Sequence, residues 1–232
     1  MVVDTMTYKE IWSEIRKDYN GIIRYKIVDA EKVFRKKVMA SPSTLDIIRL
    51  KPIHFKSRKT SLNHCMILYS FGKNDYKKNG MLFVLYSYIY REYGIYAFML
   101  SGKNFDTLAV YTPHFFSRYR ERYIKDTSLS MDEVMEDFFV YNNVCQIKDV
   151  NNASYPNSIF ASTKDGVLLG TKHPDNILEF KTFLPSELLK EQQIDLHNSQ
   201  NEDVKKYLEE IYGTNTLKEQ KPFMIIPITK VN

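Results

Sequence analysis

Cysteine is nearly absent: Cys65 and Cys145 are the two in 232 residues, far apart and in runs without metal-ligand spacing. A disulfide framework is therefore excluded, and the pair reads as two packed thiols of a reducing compartment. No run of about 18 apolar residues occurs, so no transmembrane helix is expected. Residues 1–8 lack a basic stretch followed by an apolar one, so no secretory signal is read there and a cytoplasmic location is expected. There is no Walker loop, no G-x-G-x-x-G and no H-E-x-x-H, which removes the commonest nucleotide and zinc enzymes. His54, His64 and Cys65 have irregular spacing on expected strands, so neither a metal nor a cofactor is expected. Internal repeats and low-complexity segments are absent as well.

What the chain does have is aromatic residues, 14% of the total, with 17 Tyr and 14 Phe against one Trp. Apolar residues make up 44% and charged residues 26%, ordinary for a globular protein large enough to bury a core without staples. The net charge of +5 is unevenly spread. Between residues 48 and 64 stand Arg49, Lys51, Lys56, Arg58 and Lys59 with no acid among them, whereas residues 195–210 hold five acids against two lysines. The cationic strip is a candidate contact for a polyanion, RNA in particular.

Periodicity divides the chain. Residues 7–39 read as helical, with Ile11, Trp12, Ile15 and Tyr19 at helical spacing and Asn20-Gly21 interrupting the pattern. In the second helix Ile23, Ile27, Val33, Phe34 and Val38 form the apolar set, and Arg24, Lys26, Lys32, Arg35, Lys36 and Lys37 a solvated side. Ser41-Pro42-Ser43 ends this part, so three segments are expected: helical 1–41, sheet-rich 42–194, and a helix with an edge segment over 195–232. From Ile53 to Val110 the pattern is that of strands, with polar residues 72–80 as a hairpin loop. Tyr86, Tyr88 and Tyr90 alternate on one strand face, read as packing rather than a base-stacking platform. Residues 142–157 read as loop, three short strands follow to Phe183, and two further helices cover 188–194 and 202–212, the second ended by Gly213. Residues 223–231 read as an edge strand. The expected class is α+β with a mainly antiparallel twisted sheet packed by helices.

The most informative stretch is residues 111–123. Thr112 is a good N-cap and Pro113 fits the first helical position, where its missing N–H costs nothing. At about 100° per residue, Phe115, Phe116, Tyr119 and Tyr123 share one arc, and His114, Arg118 and Arg122 form a stripe on another. An imidazole beside guanidinium groups can move a proton and hold phosphate charge, and it is equally the face of a solvated helix. RNA cleavage needs a second acid or base, and His173, Glu121, Tyr111 and Lys181 are all open for that role.

His114-x3-Arg118-x3-Arg122 is followed by Ser130-Met131-Asp132-Glu133-Val134, then by Asp165-Gly166 and by Leu178-Glu179-Phe180-Lys181-Thr182-Phe183. This order resembles the RelE-like toxin families, in particular the BrnT-like group, over about residues 110–183. The resemblance implies a RelE-like core in the second half of the chain and metal-independent cleavage of RNA. It implies His114, Arg118 and Arg122 as site residues, Thr182 or Lys181 on the adjacent strand, and a protein antitoxin as a partner. The chain departs from those short toxins in the length that precedes the helix and in Phe115 and Phe116 directly after His114. The other reading is a non-catalytic binding or regulatory protein that holds nucleic acid or a protein through the strip from Arg49 to Lys59 and the strand of Tyr86, Tyr88 and Tyr90.

Overall fold

The structure is a computed structural model that describes residues 2–142, 145–150 and 156–212. Gly213 and the expected edge strand over 223–231 lie outside the described residues. The class is α+β, and the described residues form ten strands that are mainly antiparallel. The chain forms two compact units, one on Met1–Arg91 and one beginning at Glu92.

The first unit opens with α1 (Tyr8–Asp18). Thr7 caps it, its hydroxyl accepting from Glu10 N while the Glu10 carboxylate accepts from Thr7 N at 2.8 Å. A π-helical turn at Tyr19–Ile23 carries Gly21 in a non-helical conformation, where the sequence pattern broke, and leads into α2 (Arg24–Ala40). Four strands follow: β1 (Ile48–Arg49), β2 (Ile53–Lys56), β3 (Asn63–Ser70) and β4 (Leu82–Arg91). Both β1 and β2 pair antiparallel with β3, which pairs antiparallel with β4. Helix α2 packs on them with one residue per turn, Ala30, Phe34 and Val38, against Ile48, Met66, Leu68 and Phe83. Val33, assigned to the apolar set from its spacing, is instead exposed. The tyrosine strand is core, as read, for Tyr86 and Tyr88, while Tyr90 is exposed.

Residues 72–80 hold a helix, α3 (Gly72–Asn79), where a hairpin loop was expected. The Asp75 carboxylate accepts from Phe71 N at 3.1 Å, and Tyr76 packs edge-on against Phe34 at 5.8 Å between centroids. One aromatic anchor and one capping carboxylate suffice for a helix whose other residues are polar, so periodicity carries no sign of it.

The second unit contains β5 (Gly94–Ser101), β6 (Thr107–Tyr111), β7 (Gln146–Asp149), β8 (Ser158–Ser162), β9 (Gly166–His173) and β10 (Ile177–Pro185). Their spatial order is β5-β6-β10-β9-β8-β7, antiparallel throughout except for the parallel β6–β10 pair. Strand β7 lies within 142–157, which was expected to be loop. It is a polar edge strand of which only Gln146 is even half-buried, so it has no apolar alternation to read. Between β6 and β7 come α4 (Pro113–Tyr119), a π-helical turn at Arg120–Ile124, and α5 (Met131–Tyr141). The last described element is α6 (Glu191–Tyr212), a single helix where two were expected. The polar run across its middle looks like a loop, but its buried members have partners. Ser162 bonds the Gln200 side-chain oxygen at 2.6 Å, Gln200 Nε2 donates to Gln146 O at 3.0 Å, and His197 Nε2 meets the Ser186 hydroxyl at 3.3 Å.

One face of β10 and β6 is covered by α4 and α5 through an aromatic cluster of Tyr111, Phe115, Phe116, Tyr119, Phe138, Phe139, Phe180 and Phe183. All eight are essentially without solvent exposure. Each aromatic pair adds about 0.5–1.5 kcal/mol beyond the area it buries. The cluster depends on a bulge: β10 pairs with β9 at Phe180↔Gly170 and then at Thr182↔Leu169, so Lys181 has no partner. In a regular strand Phe180 and Phe183 would point to opposite faces, and the extra residue brings them to the same one. Opposite the bulge only glycine fits, because a Cβ on Gly170 would lie 2.0 Å from Glu179 O.

Candidate functional site

Helix α4 begins as its sequence dictates. Thr112 Oγ1 accepts from Phe115 N at 3.3 Å and Pro113 occupies the first turn. Phe115, Phe116 and Tyr119 are buried, whereas His114 is exposed and Arg118 and Arg122 are half-buried. Arg118 Nε donates to His114 Nε2 at 3.3 Å, and Arg118 NH1 pairs with Glu121 Oε2 at 2.8 Å. Arg122 does not extend this row. In the π-helical turn Lys125 N donates to Arg120 O, five residues back, at 2.8 Å. That wider turn slips the side chains out of four-residue register, and Arg122 NH1 donates to Phe183 O at 2.9 Å instead.

The strand residues expected beside this helix lie elsewhere. Thr182, registered with Leu169, faces away from its neighbour Phe183, on the side where Leu169 and Leu184 pack with Leu196 of α6. Among the described residues no hydrogen bond or ion pair joins Thr182 to His114, Arg118 or Arg122. Lys181 Nζ is 3.1 Å from Glu179 Oε2, and His173 Nε2 is 3.0 Å from the same oxygen. Two of the four candidates for a second acid or base are thus tied to one carboxylate. Glu121 is engaged by Arg118, and Tyr111 is buried in the aromatic cluster, where desolvation pushes its phenol far above the ordinary range. Tyr119 and Tyr123 stay protonated for a related reason: burial first, then the carboxylates of Asp137 and Asp165, raise both phenols. The Tyr119 hydroxyl donates to Asp137 Oδ2 at 2.9 Å, and Asn142 Nδ2 donates to Asp165 Oδ2 at 2.7 Å. That network joins α4, α5 and the β8–β9 turn.

In the first unit Arg49, Lys51, Lys56, Arg58 and Lys59 are all exposed, on β1, β2 and the turns beside them. Sequence reasoning singled out this strip and missed its extension. Arg24, Lys26, Lys32, Arg35, Lys36 and Lys37 of α2 are exposed too, and the packing sets Lys26 and Lys37 beside the strip. Lys37 Nζ donates to Arg49 O at 2.6 Å, and Lys26 Nζ lies 6.0 Å from the centre of the Phe55 ring. At the far end of α2, Lys73 Nζ of α3 donates to Met39 O at 2.7 Å. The missed signal was countable. Residues 1–91 hold 18 Lys and Arg against 8 Asp and Glu, a net of +10, and residues 92–232 hold 15 against 20, a net of −5.

A buried polar group in the same unit also escaped the sequence reading. Asp18 accepts from the Ser57 hydroxyl at 2.7 Å, from the Thr60 hydroxyl, and from His64 Nε2 at 3.1 Å, and His64 Nδ1 bonds the Ser87 hydroxyl at 2.9 Å. Burial acts to raise the Asp18 carboxyl, but the hydrogen bonds from His64, Thr60 and Ser57 outweigh it and hold the group below its ordinary value. Asp, His and Ser stand in a relay order, yet His64 is wholly buried and Ser87 nearly so, so no substrate reaches the hydroxyl. The relay is a structural pin between α1 and the strands. His64 and Cys65, successive in β3, face opposite ways: Cys65 Sγ lies 3.7 Å from His54 Nε2, while His64 turns to Asp18. Among the described residues no helix is long and apolar enough to cross a membrane.

Comparison of the chain with protein-family models, with curated proteins and with solved structures finds no match.

Proposed function

We propose that the protein binds RNA through the basic surface of its first unit. The observation that carries this reading is the charge of +10 on residues 1–91, with the strip from Arg49 to Lys59 and the cations of α2 both exposed and in contact at Lys37 and Arg49. Exposed lysines along an edge strand also discourage edge-to-edge aggregation. That role accounts for one or two charges on β1 and β2 and not for six more on the helix beside them. A surface of this kind displaces counterions from a phosphate backbone, so its affinity follows the salt concentration. With about six phosphates contacted, binding should weaken roughly a thousandfold between about 50 and about 200 mM salt. Reversing Arg49, Lys51 and Arg58 together to Glu should abolish binding measured by fluorescence anisotropy. No binding at micromolar protein in low salt, or binding indifferent to both salt and reversal, refutes the reading.

A second reading, metal-independent cleavage with the antitoxin-type partner that goes with it, is favoured by one observation. The exposed His114 ring stands 3.3 Å from Arg118 Nε on the helix that carries the toxin-like order. For His114 to take a proton through Nε2, that guanidinium must swing away toward phosphate. His114→Ala should then lower cleavage of RNA in excess EDTA by roughly 10²–10⁴-fold without loss of fold. RNA left intact by the wild-type protein across a range of pH removes this reading and leaves the binding proposal standing.

A further inference from the structure

Helix α2 is attached to its unit by a narrow stripe, Ala30, Phe34 and Val38, and most of its circumference is open. At about 100° per residue the arc opposite Phe34 contains Tyr25, Val28, Asp29, Lys32, Lys36 and Met39, with Lys32 Nζ 3.4 Å from Asp29 Oδ1 in an exposed pair. Tyr25 is 73% exposed, Val28 48% and Met39 44%, and the cations Arg24, Arg35 and Lys36 flank them. Isolated exposed apolar residues are ordinary, but here they line one arc of one helix, inside the most positive part of the chain.

We infer that this outer face of α2 receives single-stranded RNA, with a base stacked on Tyr25 and the backbone held by Lys32, Arg35 and Lys36; the inference rests on the RNA-binding reading above. The reason is the kind of group presented. A duplex offers phosphates and groove edges and keeps its base faces stacked inside, so a tyrosine ring standing clear of the protein gains nothing from it. An unpaired strand offers a π-face at every nucleotide, and unpaired RNA is commonly held by aromatic stacking beside cations. An anionic membrane is the poorer fit. The apolar side of α2 is already buried in the core of its unit, and Lys32 interrupts the outer arc, so no continuous apolar face is left to enter lipid.

The test is anisotropy titration of the full chain with a labelled pyrimidine-rich RNA of about a dozen nucleotides, within the usual site size, and with the same sequence annealed to its complement. The single strand should bind tighter by on the order of 5- to 150-fold, the worth of one stacked base. Tyr25→Ala should remove that advantage while leaving the salt slope unchanged, because the tyrosine carries no charge. Tyr25→Trp should keep it. Lys32→Ala and Lys36→Ala should each lower the salt slope by about one. Tyr25 is exposed, so its variants fold, and thermal melts of each confirm this. Equal affinity for strand and duplex, or a silent Tyr25→Ala, overturns the inference and leaves RNA binding in place. Tighter binding of the deoxy strand, or binding to anionic vesicles that Tyr25→Ala weakens without any effect on RNA, overturns it as well. Absence of binding to any nucleic acid defeats the underlying reading itself.

Discussion

Asp18→Ala should cost the first unit roughly 3 kcal/mol or more, because each buried donor left without its acceptor costs about 1–3 kcal/mol. The substitution leaves His64 Nε2 and the hydroxyls of Ser57 and Thr60 without their acceptor in a site from which water is excluded. Trp12, the one tryptophan of the chain, is buried on the same helix, so its fluorescence during urea unfolding reports on this unit. The pin also sets a pH dependence. The carboxyl of Asp18 is depressed in the folded state, so its contribution is present above the unfolded aspartate value of about 3.9 and is lost as pH falls through the lower folded value. Wild-type stability should therefore drop below about pH 4 more steeply than that of Asp18→Ala, which has already lost the contribution. An Asp18→Ala protein that unfolds within about 1 kcal/mol of wild type would show that the relay carries no such energy.

Inserting one residue into β9 between Leu169 and Gly170 should be as damaging to the second unit. The added residue gives Lys181 a cross-strand partner and so removes the bulge. The strand then alternates through Lys181, Thr182 turns toward α4 and α5, and Phe183 leaves contact with Phe115, Tyr119 and Phe138. Evicting that phenylalanine is worth roughly 3–5 kcal/mol. Amide exchange along β9 and β10 should accelerate accordingly. Deleting Lys181 should be mild by comparison, because Phe180 and Phe183 then stand two apart in a regular strand and keep one face. The Lys181 ammonium is half exposed and pairs with Glu179, so Lys181→Ala should cost no more than about 0.5 kcal/mol. Protection that stays at the wild-type level in the insertion variant would mean that the neighbouring turn absorbs the added residue, and the bulge would then not be what orients Phe183.

Much of this architecture was legible in the residues. Thr112-Pro113 and Ser130 with Glu133 start helices where their side chains satisfy the first free N–H groups, a local matter of three or four residues. The strands of 53–111 could be read because β-branched and aromatic residues alternate there, and the break at Gly21 because glycine alone interrupts an otherwise periodic run. The concentration of positive charge before residue 92 was open to simple counting. The site was legible only in part. His114 and Arg118 are four apart on an ordinary helical turn and do meet, whereas Arg122 falls in the π-helical turn and is carried to Phe183 O.

What the sequence by itself determined is the local chemistry: caps, breaks, strand-forming runs, the aromatic face of α4, and a basic half followed by a mildly acidic one. The tertiary structure alone decided which of these came together. Helix α3 exists because Tyr76 finds Phe34, and α6 runs unbroken because Gln200 and His197 find partners on other elements. Asp18 is buried because three donors from β3 and the turn before it converge on it, and Phe180 and Phe183 share a face because of one extra residue in β10. The physical reason is the same in each case. Helix caps and strand alternation are settled by neighbours in the chain, but burying a polar group or choosing the face of a residue depends on atoms supplied from far along it, and no local pattern records them.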